Sequence, residues 1–151
     1  MRREDIIIQC NHEGEEIIWA RQGDRELVAF RKSVIFVAEK GTVADIKSEG
    51  KAAFATSEKL KAFFDIIDGI EKGDARTEGF MSERRILESG NEALCIESMD
   101  GIRRWVDREL IENFSFKRKY WFDSSNPDNG MVFIEEDGKI AGIVMKLNVK
   151  E

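Results

Sequence analysis

Short apolar runs, interrupted at close intervals by turn-forming residues, restrict residues 5–46 to antiparallel strands. The runs are Asp5 to Cys10, Glu16 to Arg21, Glu26 to Lys32, Val34 to Ala38 and Thr42 to Ile46. Between them lie Asn11 to Gly14, Gly23-Asp24 and Lys40-Gly41, residues that accept positive φ or bond their own backbone. Connections this short cannot carry a parallel crossover, so the pattern predicts a β-meander.

A different periodicity follows. Lys51 to Thr56 reads as a strand, and Ser57 is placed to cap a helix from Glu58 to about Lys72, which Gly73 ends. Leu60, Phe63, Phe64, Ile67 and Ile70 fall on one face of that helix, with Lys59, Lys61, Asp65 and Asp68 opposite. Arg85 to Glu88 and Glu92 to Glu97 flank Ser89-Gly90-Asn91 as a hairpin. A second helix is predicted on the stripe Ile102, Trp105, Val106 and Leu110, capped by Ser98 or Asp100. The remainder reads as strands, Ser115 to Phe122, Met131 to Glu135 and Lys139 to Val149, the last two joined by Asp137-Gly138.

These elements make an α+β fold: antiparallel sheet or sheets of about ten short strands, with two amphipathic helices packed on the sheet. A chain of 151 residues with 42% hydrophobic composition, ten Phe and three Trp fills one core, so residues 1–151 are expected to form a single domain. The meander occupies about 5–46, and two strand-helix-strands units span about 51–97 and 93–149. Phe54, Leu60, Phe63, Phe64 and Asp65 match Ile96, Ile102, Trp105, Val106 and Asp107 in residue class at a constant offset, a faint internal echo.

Catalytic signatures are sparse. The one histidine, His12, sits in a predicted turn beside Cys10, and Cys95 is the one other thiol, too few ligands for a zinc site. Both cysteines have apolar neighbours that suit reduced, buried thiols. The twelve glycines are scattered, without the clustering that wraps a phosphate, and no serine has a nucleophile-elbow context. Asp128 with Asp137 and Lys139 superficially matches a metal-dependent nuclease or hydrolase, although a turn glycine separates the second acid from the lysine. The stretch 123–130 resembles a calcium loop in composition but not in ligand spacing. No catalytic residue, metal site or cofactor is predicted.

Phe114 to Phe122 interleaves aromatic and basic residues. As a strand it sets Lys117, Lys119 and Trp121 on one face, able to grip a phosphate backbone and stack on a base. Arg103 and Arg104, on the solvent side of the second predicted helix, would extend a basic face. Two strand–helix units with cations on their helices are similar in outline to half of a sliding-clamp domain, over roughly Lys51 to Val149, and that resemblance implies helices facing DNA.

The balance of 24 Lys+Arg against 30 Asp+Glu, net −6, disfavours indiscriminate attraction to nucleic acid. The apolar run Ile6 to Ile8 is too short for a signal core or a membrane span, so a cytoplasmic protein without membrane contact is expected. The leading functional expectation is a non-catalytic binding or protein-interaction domain, with homodimerisation through an exposed strand edge as a further option. The alternative is a DNA-associated, clamp-like or accessory protein that uses Arg103, Arg104, Lys117, Lys119 and Trp121.

Overall fold

The computed structural model describes residues 6, 16–30, 33–48, 53–88, 90–126 and 128–149. The predicted strand Asp5 to Cys10 and the His12 turn lie outside them, apart from Ile6. The strands are β1 (Glu16–Gln22), β2 (Arg25–Phe30), β3 (Val34–Glu39), β4 (Ala53–Thr56), β5 (Arg76–Glu88), β6 (Asn91–Ser98), β7 (Arg103–Asp107), β8 (Lys119–Asp123), β9 (Met131–Glu136) and β10 (Lys139–Met145). The helices are α1 (Thr42–Ser48), α2 (Glu58–Lys72) and α3 (Arg108–Ile111). All ten strands join one sheet in the order β4-β1-β2-β3-β10-β9-β8-β5-β6-β7. Each pairing is antiparallel except β1 with β4. The α+β class with two helices of useful length therefore holds, but the second of these is α1.

The sheet cannot be flat. Five steps separate β10 from β7, about 24 Å at ordinary strand spacing. Yet Leu147, two residues beyond the end of β10, donates its N–H to the Trp105 carbonyl of β7 at 2.7 Å. Two extended residues reach about 7 Å, so β7 must curl back toward the end of β10. The chain from 146 to 149 closes the gap.

Strand alternation sorts the core onto the two faces of this curl. One face carries Val28, Phe36, Ile96, Val106, Phe122, Ile134 and Val144, covered by Val43 and Ile46 of α1 and Leu110 and Ile111 of α3. The other carries Leu27, Ile35, Trp121, Phe133 and Ile143 beneath Leu60, Phe64, Ile67 and Ile70 of α2. Further along that second face, Leu147 and Val149 pack on Ala93, Cys95 and Trp105. Helix α2 forms as its sequence predicts: Ser57 Oγ accepts from the Leu60 amide, and Gly73, at φ 85°, returns its N–H to the helix end. Its four buried side chains contribute about 2 kcal/mol each.

Two predicted elements are corrected. Thr42 to Ile46 is helical because Glu26, from a distant strand, accepts the Val43 amide at 2.8 Å and the Gly41 amide at 3.0 Å, satisfying donors at the start of α1. The helix expected over Ile102, Trp105, Val106 and Leu110 is strand β7 followed by the single turn α3. Ser98 closes a β6–β7 turn instead of capping a helix: its N–H donates to the Ile102 carbonyl, its Oγ accepts from the Ile102 amide, and Gly101 sits at φ 94°. The residue that does cap α3 is Asp107, whose carboxylate accepts from the Glu109 amide.

Two strands are also shorter than predicted. Residues 115–118 form a turn before β8, and β10 stops at Met145, four residues before Val149. The stretches in the internal echo differ in structure, since Leu60 to Asp65 is helix and Ile102 to Asp107 runs into β7. With a strand where the second helix was expected, the outline of a strand–helix pair shared with a sliding clamp reduces to its first unit.

Candidate functional site

Successive side chains of a strand point to opposite faces, which separates the two arginines expected to act together. Arg103 lies on the face of Trp105, where its Nε meets Glu97 Oε1 at 3.0 Å. Arg104 lies on the face of Val106, its guanidinium 5.7 Å from the centre of the Phe122 ring and its Nη1 donating to the Arg103 carbonyl. Lys117 is exposed in the turn before β8, its ammonium 5.9 Å from the exposed Phe116 ring. Lys119 is exposed in β8 opposite Glu135.

Trp121 shares a face with Lys119, as the alternation requires, but that face is covered. Its indole is 9% exposed and the Arg76 guanidinium sits 3.8 Å above the ring. Arg76 is itself fixed by donating to the Ile70 carbonyl at the end of α2. Trp121 is therefore part of the core and closed to a stacking base. The five residues proposed from the sequence do not form one basic face.

The carboxylates expected for a metal site also stand apart. Asp128 precedes β9 and Asp137 follows it, so the length of the strand, about 20 Å, separates them. Among the described residues, no group of three His, Cys, Asp or Glu side chains is arranged to hold a metal ion. Cys95 is a buried free thiol. Burial, then the Glu97 carboxylate 3.6 Å away, push its pKa up to about 11, so it is a protonated, enclosed group at neutral pH.

Concavities among the described residues come next. A cleft of about 910 Å³ lies between the β2–β3 and β9–β10 ends and the C-terminal part of α2. Six carboxylates line it, but three are engaged structurally: Asp68 with Arg25, Glu71 with the Ile140 amide and Glu136 with the Ser115 amide. A second groove, about 770 Å³, runs between β7 and residues 146–149 and is lined by Arg103, Arg104, Lys146 and Asn148 over Trp105, Leu147 and Val149. Lys146 reaches this groove through the curl of the sheet.

A shallow depression of about 250 Å³ lies at the base of the arm formed by β5, β6 and β7. Phe80 and Met99 border it, 48% and 90% exposed. Leu87, 77% exposed, projects near the tip of the same arm. The arm extends past β8, because β8 pairs with Arg76 to Gly79 whereas β6 pairs onward to Glu88.

The β5 edge left beyond β8 is shielded against casual strand pairing. A register shift between Met81 and Arg85 buckles it, Ser82 Oγ accepts from the Arg84 amide, and the Arg85 guanidinium covers the Ser82 and Arg84 carbonyls. Glu97 holds both Arg84 and Arg103 on one face of the arm. On the other, Glu92 holds Arg85 and Arg108. The arm thus offers exposed apolar side chains on a strand pair braced by shared carboxylates.

No family model matches the chain, and no curated protein or solved structure matches it. No helix among the described residues is long and apolar enough to cross a membrane.

Proposed function

We propose that this chain is a non-catalytic binding domain that engages a protein partner through the β5–β6–β7 arm. The observation that carries the reading is the exposure of Phe80, Leu87 and Met99 on one projecting arm whose backbone is braced by ion pairs. Large apolar side chains held in water cost free energy that a partner surface recovers, and a braced arm loses little conformational entropy on binding. The shielded β5 edge favours side-chain contacts over strand addition there.

The test compares affinity capture by the wild-type chain with capture by Phe80→Ser/Met99→Ser, both checked for the same melting temperature. Loss of two apolar anchors should lower recovery of a genuine partner by about tenfold or more. The same proteins recovered in the same yields by both chains would remove the arm from the binding reaction.

A further inference from the structure

We propose that Ser82 is a phosphorylation site whose phosphate closes the arm to an apolar partner; the closing role rests on the arm being the binding surface, the site itself does not. The backbone at Ser82 is open to a modifying enzyme. Among the described residues β8 pairs with β5 only as far as Gly79. On the β6 side, Ser82, Glu83 and Arg84 stand opposite Cys95 alone, between the pairs Met81–Ile96 and Arg85–Leu94. A bulged segment with one free edge needs little local opening to enter a kinase cleft.

The residues after Ser82 supply partners for an anion. Ser82 Oγ already accepts from the Arg84 amide at 3.1 Å, and the Arg85 guanidinium donates to the Ser82 carbonyl at 2.5 Å. The Arg84 side chain, 58% exposed, meets Glu97 Oε1 at 3.2 Å. Phosphoserine carries about two negative charges and three acceptor oxygens, so it can draw Arg84 from Glu97, which keeps Arg103. Ser115 has the same spacing to Lys117 and Arg118, but its amide bonds the Glu136 carboxylate, and Arg118 is committed to the Tyr120 hydroxyl and the Phe114 and Ser115 carbonyls.

In the reaction, Ser82 Oγ bonds to the terminal phosphorus of a nucleoside triphosphate. The bond to the nucleoside diphosphate breaks, and the hydroxyl proton passes to a base of the kinase. Ser82 lines the same depression as Phe80, Met81 and Met99. The phosphate therefore places charge at the rim of the apolar patch, where covering it with a partner costs desolvation.

The folded chain and Ser82→Ala are treated with ATP and a serine kinase that selects basic residues after the acceptor, and phosphate is located by peptide mass spectrometry. Wild type should be modified at Ser82 and Ser82→Ala should take up little. Equal uptake by both proteins, preference for Ser115, or no uptake overturns the site. By phosphorus NMR, the second ionisation of the phosphoserine should lie below its ordinary value of about 6 and return toward it in Arg84→Gln. Identical titrations would overturn the part given to Arg84. The phosphorylated chain should recover the partner about tenfold more poorly, as Phe80→Ser/Met99→Ser does. If phosphorylation leaves capture unchanged while Phe80→Ser/Met99→Ser abolishes it, the closing role falls and the arm reading stands; if neither change affects capture, the arm reading falls too.

Discussion

Glu26 is the residue on which the β2–α1 junction depends. It is wholly buried, yet its carboxylate accepts from the Val43 and Gly41 amides and from the Arg21 guanidinium at 2.7 Å. Burial by itself would raise its pKa, but those hydrogen bonds and the charge of Arg21 outweigh it and hold the pKa below the ordinary glutamate value of 4.5. A folded-state pKa below the unfolded value means that the stabilisation is complete above the unfolded pKa and disappears as pH falls through the folded one. Glu26→Gln keeps the shape but turns an amide donor toward backbone donors, and should cost about 2–3 kcal/mol at neutral pH in denaturant unfolding. Its stability should also fall less steeply than wild type's as pH drops below 4.5. Parallel acid limbs for the two proteins would show that the carboxylate is not the titrating group.

At the scale of elements, β5 changes partners at Gly79, which pairs with Tyr120 of β8 on one side and Ser98 of β6 on the other. A β-carbon there would lie 2.7 Å from Ile96 Cγ2 and 3.0 Å from Phe122 Cζ, so the handover requires glycine for lack of room. Gly79→Ala should destabilise by about 1–3 kcal/mol. In a double-mutant cycle with Ile96→Ala, which vacates the space, the two losses should be less than additive, whereas strict additivity would mean that the clash is relieved elsewhere. Elements specified by their own residues were legible in the sequence: α2 through Ser57, its apolar face and Gly73, and the β9–β10 hairpin through Asp137-Gly138. Elements specified from a distance were not. Helix α1 takes its first hydrogen bonds from Glu26, and the Ile102 to Leu110 stripe fits helical spacing although Trp105 and Val106 are buried on opposite faces of a strand. The site residues follow the same rule. Alternation correctly joined Lys119 with Trp121, but which face meets water is decided by Arg76 and α2, outside the local pattern.

Across the whole molecule, the closure of the curl depends on four residues after β10. Leu147 bonds the Trp105 carbonyl, and Leu147 and Val149 cover Ala93, Cys95 and Trp105. Among the described residues, a short extended segment covers this face of β6 and β7. Such segments open locally at lower free energy than the strands beneath them. Cys95 is a reporter for this opening, because its thiol is enclosed and its pKa is raised to about 11. In a Cys10→Ser background, where Cys95 is the sole thiol, disulfide exchange with an aromatic disulfide reagent should be slow in the folded protein at neutral pH. Leu147→Ser/Val149→Ser should speed it by about tenfold or more while the melting temperature falls by only a few degrees, since exchange then follows local release and not global unfolding. If instead the rate rises only in proportion to the loss of global stability, residues 146–149 open together with the sheet, and closure of the curl is part of a single cooperative transition.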